Sequence, residues 1–514
     1  MWDNATLNKF NEKLRASYLG GGENRINKQH SLGKLTARER LEILFDSGTF
    51  HEIGGLIESR IDDFGLKNKK VPGDGVVTGY GKINGRVVFA SSEDFTVIGG
   101  TLGEYHSKKI CSVMDMASEA GAPYVCINDS GGARIEEGIS SLAGYSGIFL
   151  RNTKMSGKVP QISVILGPCA GGACYSPAIS DFIFMSKYTS KMFITGPQVV
   201  KAVTGENVTA EDLGSAGVHE TVSGVNHFVF DTDEECLLGV RKLLGYLPSN
   251  WKETAPSMPV QYSGNVNELQ EIVPDNQRKA YDVKEVISRI VDDDSFFEVQ
   301  ANFAQNMVIG FSRINGECVG IVANQPKFLG GAIDCDSSDK AARFIRFCDC
   351  FNIPIVSFVD VTGFLPGKDQ EHKGIIRHGA KVLFSYSEAT VPKISLITRK
   401  AYGGAYIAMN SKEMGADIVY AWPIAQMAVM GANGAVDIIF RRQIEASENK
   451  EKAREELIAE YEDKFMNPYI AAARGYVDEI IMPKQSREKI ISALYVLRKK
   501  ETQVITKKHG NIPL

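Results

Sequence analysis

The chain alternates two kinds of apolar pattern. Short β-branched runs, "RVVFAS" (86–91), "YVCIND" (124–129) and "QISVILG" (161–167), have strand length and are bounded by turn residues. Between the first two, "EYHSKKICSVMDMASEAG" (104–121) places Ile110, Met114 and Met116 near helical spacing and ends at Gly121, a natural C-terminal cap. Strand, turn and helix then recur in the same order. The pattern predicts an α/β architecture with buried strands.

The punctuation comes twice. "GYGKINGRVVFA" (79–90) returns as "GFSRINGECVGIV" (310–322), and the Asn-Gly pairs at 84 and 315 set a spacing of 231 (315 − 84). Ala122-Pro123 with Ile353-Pro354, and Asp129 with Asp360, keep that spacing. Val159-Pro160 with Val391-Pro392, and Gly171-Gly172 with Gly403-Gly404, stand one residue farther apart. "SDKAARFIRFCDCFN" (338–352) fills the place of the first-half helix, with Ser or Asp as its N-cap. Repeated punctuation over so long a stretch predicts a duplicated domain. The junction falls in "LPSNWKETAPSMPVQYSGNVNELQ" (247–270), where Pro, Ser and Asn displace the apolar periodicity, giving domains 1–255 and 256–514.

Composition narrows the function classes. A length of 514 residues accommodates two domains, and 43% hydrophobic with 23% charged residues is ordinary for a globular protein. A formal charge of −4 gives no global attraction to nucleic acid or an anionic membrane. Nine cysteines without metal or redox spacing read as reduced core thiols. The polar N-terminus lacks a signal-peptide core, and no apolar run reaches the ~18 residues of a membrane span, so a cytoplasmic location is expected.

The strongest chemical signal is Gly-Gly-Ala at 131–133, 171–173 and 403–405, each after an apolar run. Glycine pairs let a ligand approach the backbone, and where such a turn opens a helix its first N–H groups lack intrahelical acceptors. Two such donors aimed at one oxygen form an oxyanion hole. A plain strand-to-helix turn explains one such motif; recurrence at matched positions favours function. Asp129-Ser130-Gly131-Gly132 resembles a protease nucleophile motif, but the matched position in the second half is Val361. Ser130 therefore reads as a turn or cap residue. Phosphate-loop, His-Glu-x-x-His and zinc-type cysteine patterns are absent from the sequence, so no metal site is expected.

These residues resemble those of the carboxyltransferase subunits of biotin-dependent acyl-CoA carboxylases and decarboxylases. The likeness runs through "GGGENRINKQHSLGKLTARERL" (20–41), "DFTVIGG", "NDSGGARIEEG", "GPCAGGACYSPA", "FITGPQVVKAVTGE", "ANQPK", "RKAYGGAY", "AWPIAQMAVMGANGA" and "KKHGNIPL". It covers nearly the whole chain. The resemblance implies two tandem crotonase-like (ClpP/crotonase) α/β domains. It places acyl-CoA on the first and carboxybiotin on the second domain of another subunit, in a hexamer built as a trimer of dimers. Amides around Gly131, Gly132, Ala133, Gly171 and Gly172 would hold the thioester oxygen; those of Gly363, Phe364, Gly404 and Ala405 would hold the biotin ureido oxygen. The biotin nitrogen would take the α-carbon proton, so no protein base is required. Ile407 would gauge the acyl group, with core packing as the plainer alternative. Arg25, Lys28, Lys34, Arg38 and Arg40 would meet the coenzyme A phosphates, or else form a solvated helix face.

The resemblance also names partners: a biotin carboxyl carrier protein, with a biotin carboxylase subunit or, in a sodium-pumping decarboxylase, a membrane subunit. Propionyl-CoA or methylmalonyl-CoA is the expected substrate. The chain departs from the family in "VTGFLPGKDQEHKGIIRHG" (361–379), where Thr362, His372 and Lys373 replace a Pro, an aromatic and a Gly. A left-handed backbone at Lys373 would be strained. Two other readings stand beside the main one: a biotin-independent hydratase or isomerase using Glu136 or Glu137, and a noncatalytic scaffold.

Overall fold

In a computed structural model, which describes residues 3–502 and 507–514, the chain forms two compact units, Met1–Thr254 and Ala255–Leu514. The first carries strands β1 (His51–Glu52), β2 (Val76–Ile83), β3 (Arg86–Glu93), β4 (Tyr124–Ser130), β5 (Gln161–Ala170), β6 (Phe182–Ser186), β7 (Lys191–Phe193) and β8 (Phe228–Phe230). The second carries β9 (Phe297–Val299), β10 (Met307–Ile314), β11 (Glu317–Asn324), β12 (Ile355–Val361), β13 (Lys393–Tyr402), β14 (Ile418–Ala421), β15 (Gln426–Ala428) and β16 (Glu479–Ile480). The first sheet runs β1-β2-β3-β4-β5-β6-β8 with β7 also on β5, and the second runs β9-β10-β11-β12-β13-β14-β16 with β15 also on β13. In each, the first three strands are antiparallel and the rest parallel. One topology is used twice.

The repeated Asn-Gly pairs close the β2–β3 and β10–β11 hairpins. Asn84 and Gly85 have φ of 50° and 78°, Asn315 and Gly316 of 55° and 78°, the left-handed pair that a two-residue turn between twisted strands requires. Each turn is tied to its unit in the same way. Asp46 accepts the Asn84 and Gly85 amides at 3.2 and 2.9 Å and is held by Arg241 at 2.7 Å. Asp292 accepts those of Asn315 and Gly316 at 3.0 and 2.7 Å and is held by Arg487 at 2.6 Å.

Helices cover the sheets where the apolar stripes predict. Helix Glu104–Ala120 buries Ile110, Val113, Met114 and Ala117, an i, i+3, i+4, i+7 stripe, and ends on Gly121 at φ 63°. Met116, expected in that stripe, lies on the exposed side, and Val113 with Ala117 completes it. The equivalent helix is Cys335–Cys350. It starts one turn earlier than expected because Asp334 caps it, accepting the Ser337 amide at 2.9 Å. Each of these two helices also sends a buried lysine to backbone carbonyls where the hairpin begins or just before it: Lys109 to Gly73 and Val76, Lys340 to Gln300 and Phe303. Among the described residues, no helix is long and apolar enough to cross a membrane.

Candidate functional site

Both sheets break register at the same place, between Asn128 and Ser130 on β4 and between Val359 and Val361 on β12. A register break bends the strand and re-aims the residues beyond it. In both units those residues are the glycine turn. In the first unit the turn lies against the end of β5: a side-chain carbon at Gly132, whose φ is 100°, would come within 2.9 Å of the Ala170 carbonyl. The short helix Gly171–Cys174 starts there, and no side chain caps its N-terminus. In the second unit, helix Gly403–Ala408 starts uncapped at the end of β13. The amides of Gly172, Ala173, Gly404 and Ala405 thus stand at helix N-termini without intrahelical acceptors.

The amides of the first turn divide. Gly131 donates its N–H to the Gly99 carbonyl at 3.0 Å, and Gly132 donates to Ser130 Oγ at 3.1 Å. Both donors are spent inside the protein, which removes Gly131 and Gly132 from the expected oxyanion set. The Ala133 N–H finds no acceptor among the described residues, because the bridge beside it runs from Leu102 N–H to Gly132 O and from Arg134 N–H to Leu102 O. In the second unit the same bridge joins Ile333 to Gly363 and Leu365, leaving the Phe364 N–H unspent. Val361 offers no hydroxyl, so the Gly363 N–H has none of the partnership that Ser130 gives Gly132. The Phe364 ring packs near Gly404 and Gly379, where a side-chain carbon would come within 3.7 and 2.8 Å of it.

Ser130 is fully buried, donates to the Gly100 carbonyl at 2.7 Å, and has no histidine among its partners. It braces the turn. The bracing loop itself is left-handed over three residues, Ile98, Gly99 and Gly100 at φ 50°, 63° and 62°, and Leu329, Gly330 and Gly331 repeat it at 51°, 61° and 76°. A β-branched residue in that region is strained, and such strain concentrates at functional sites. The repeated Gly-Gly at 99 and 330, at the hairpin spacing, was the signal in the sequence for this loop. Arg134 completes the brace: it is buried and donates to Asp74 at 2.8 Å, Glu137 at 2.7 Å and the Thr101 carbonyl at 3.0 Å. Glu137 also accepts the Glu104 N–H at 2.6 Å and the Ser59 hydroxyl at 3.1 Å, so its carboxylate is committed to structure and not to acid–base work.

The basic set splits in two. Lys34 and Arg40 are buried on Asp129, at 2.6 and 3.0 Å, and Arg40 also binds Asp233 at 2.9 Å. Burial lowers the Lys34 pKa although Asp129 opposes it; for Arg40 the two carboxylates outweigh burial and raise it. Arg38 is half-buried and bidentate on Glu52 at 2.8 and 3.1 Å. These three brace the fold, and neither a phosphate-facing nor a solvated role fits them. Arg25 and Lys28 are exposed and line a pocket of about 280 Å³ with Lys69, Phe95, Ile98 and Gly99. Three cations thus border a cavity beside the strained loop, a setting suited to phosphate groups.

Ile407 is 44% exposed, on the helix that starts at Gly403, so it is not core packing. Thr362, His372 and Lys373 are exposed. Lys373 is helical, and the left-handed residue is Gly374 at φ 86°, so the expected strain at Lys373 is absent.

Residues 28–512 match the carboxyl transferase domain. The chain is 55% identical over 510 residues to the carboxyltransferase subunit of propionyl-CoA carboxylase from Haloferax mediterranei, covering 99% of each. It is 55% identical over 510 residues to the methylmalonyl-CoA decarboxylase subunit alpha of Propionigenium modestum, covering 99% of this chain and 98% of that one. Among solved structures it is similar to transcarboxylase 12S, described as a hexamer assembly with methylmalonyl-CoA and methylmalonic acid bound. That match has a TM-score of 0.96 and 52% identity, over 99% of this chain and 98% of the other.

Proposed function

The chain belongs to the carboxyl transferase family and is a carboxyltransferase of two crotonase-type units, and from that premise we infer that it moves a carboxyl group between carboxybiotin and the α-carbon of propionyl-CoA or methylmalonyl-CoA. One observation carries the reading: the same bulged strand, glycine turn and uncapped helix occur in both units, each with an unspent amide, Ala133 in one and Phe364 in the other. A carboxyl transfer of this kind passes through two oxyanions, and the chain offers one donor set for each.

On the acyl side, the N–H groups of Ala133, Gly172 and Ala173 would donate to the thioester oxygen as the α-carbon takes on enolate character. The cations Arg25, Lys28 and Lys69 would hold the coenzyme's phosphates. On the other side, the Gly363, Phe364, Gly404 and Ala405 amides fit a planar ureido oxygen, with the Phe364 ring fixed against Gly379 beneath it. Biotin, brought by a carrier protein, supplies the transferable carboxyl group. Ile407 would border the acyl group. Glu137, one of the two carboxylates nearest the first turn in sequence, is spent on Arg134, which speaks against its use as a hydratase base. We assign the chain to the cytoplasm, in a hexamer of three dimers whose sites are shared between subunits.

The test is decarboxylation of methylmalonyl-CoA, malonyl-CoA and glutaconyl-CoA by the purified protein with free biotin. Turnover of methylmalonyl-CoA above the others is expected. A folded sample that turns over none of them would leave the scaffold reading in its place.

A further inference from the structure

Glu93 ends β3, and Asn324, at the hairpin spacing (324 − 93 = 231), ends β11. The two side chains do the same work on the backbone. Glu93 Oε2 accepts the Asp129 N–H at 3.0 Å, and Asn324 Oδ1 accepts the Asp360 N–H at 3.3 Å. Asn324 also donates its amide to the Gly331 carbonyl at 3.2 Å. A carboxylate has no hydrogen to donate; a carboxylic acid has one.

The surroundings of Glu93 call for the acid. Its Oε1 lies 3.7 Å from Nε2 of His106, which is fully buried. The other ring nitrogen, Nδ1, is 3.0 Å from the Asp74 carbonyl. A carbonyl only accepts, so Nδ1 carries the hydrogen and Nε2 is a bare lone pair, without a hydrogen-bond partner among the described residues. Burial keeps His106 neutral, its pKa well below the usual value, with Arg134 and Lys109 adding to the effect. Burial pushes the Glu93 carboxyl up to about 8; the Asp129 charge adds to that, while the Asp129 N–H bond and Arg40 oppose it. Cys126 on the adjacent strand β4, Cys169 on β5 beyond it and Tyr145 on helix Ile139–Met155 also feel this carboxyl, and burial holds the Cys126 and Tyr145 groups neutral.

We propose that Glu93 is a positioning residue for the acyl-side turn and serves in its protonated form, one oxygen holding the Asp129 amide and the other offering a hydrogen to His106. The role in turnover rests on the acyl-side reading of that turn. Without the proton, a second carboxylate stands beside Asp129 and against a lone pair, while the cations Lys34 and Arg40 are already engaged. Asp129 is two residues before Gly131, so a shift there reaches the Ala133 amide.

Glu93→Gln keeps an acceptor and a permanent donor, whereas Glu93→Ala keeps neither. The wild type should lose activity through one ionisation centred near pH 8, falling about tenfold per further unit. The Gln variant should retain activity near pH 7 without that limb, and the Ala variant should be slow throughout. An unchanged alkaline limb in Glu93→Gln would overturn the proposal. A substrate-free measurement separates this from the functional reading: urea unfolding of wild type and Glu93→Gln from pH 4 to 9. A carboxyl whose pKa is raised in the folded state contributes fully below its unfolded pKa, so the wild type should lose stability relative to Gln as pH rises towards 8 and level off above it. A flat difference refutes the protonated carboxyl. If the predicted difference appears but no form turns over any acyl-CoA, the functional reading fails and the proton assignment stands.

Discussion

Asp129 and Asp360 hold the same station in their sheets but take their cations from different places. In the second unit Arg399, on the adjacent strand β13, meets Asp360 at 3.0 Å. The matching residue on β5 is Gly167, where a side-chain carbon would sit 2.0 Å from Asp129 Oδ1 and 2.7 Å from Lys34 Nζ. Glycine clears the space, and the N-terminal segment inserts Lys34 and Arg40 into it. Removing one member of a buried ion pair leaves a charge uncompensated, so Arg40→Ala should cost roughly 3–5 kcal/mol of stability in urea unfolding. Arg25→Ala and Lys28→Ala should behave oppositely. They should leave stability nearly unchanged and raise the KM for the acyl-CoA roughly fivefold each, the worth of about 1 kcal/mol. The sequence shows five cations in one short segment and nothing that separates these classes, because Asp129 and Asp233, which take Lys34 and Arg40, lie far along the chain.

At the scale of elements, most of the architecture was legible because duplication repeats its punctuation. The Asn-Gly hairpins, the Gly-Gly turns and the strands between them are local signals, each set by a backbone conformation that few residues tolerate. Hydrogen-bond bookkeeping was not local. Gly131 and Gly132 resemble ideal oxyanion donors in sequence, yet the Gly131 amide is consumed by Gly99, which only the tertiary path of the loop at 98–100 reveals, and the Gly132 amide by Ser130, whose hydroxyl that loop aims through Gly100. The same bookkeeping settles Ser130 as a brace. Ser130→Ala should keep kcat within about tenfold, whereas loss of a true nucleophile typically costs on the order of 10⁴-fold or more. It should lower stability by about 1–3 kcal/mol, because the buried Gly100 carbonyl and Gly132 amide lose their partner. By contrast, Ala133→Pro deletes the unspent N–H itself, and turnover should fall by about 10²–10³ while the unfolding midpoint moves little.

For the whole molecule, the proposed reading gives each unit one oxyanion turn, so that neither half would complete the transfer alone. Ala133→Pro disables the first half-reaction's donor and Phe364→Pro the second's, and each variant alone should be nearly inactive. If sites are shared between subunits, a two-fold pair made of one chain of each kind holds one site with both defects and one with none. Random re-assembly of equal amounts makes such mixed pairs about half of the total, so activity should recover to about a quarter of wild type. Sites completed within a single chain predict no recovery, since every chain then carries a defect. The measurement is turnover before and after dissociation and re-assembly of the mixed variants, with each variant re-assembled alone as the baseline. Recovery would tie the duplication to its use, because it is expected only if each complete site joins the first unit of one copy to the second unit of another.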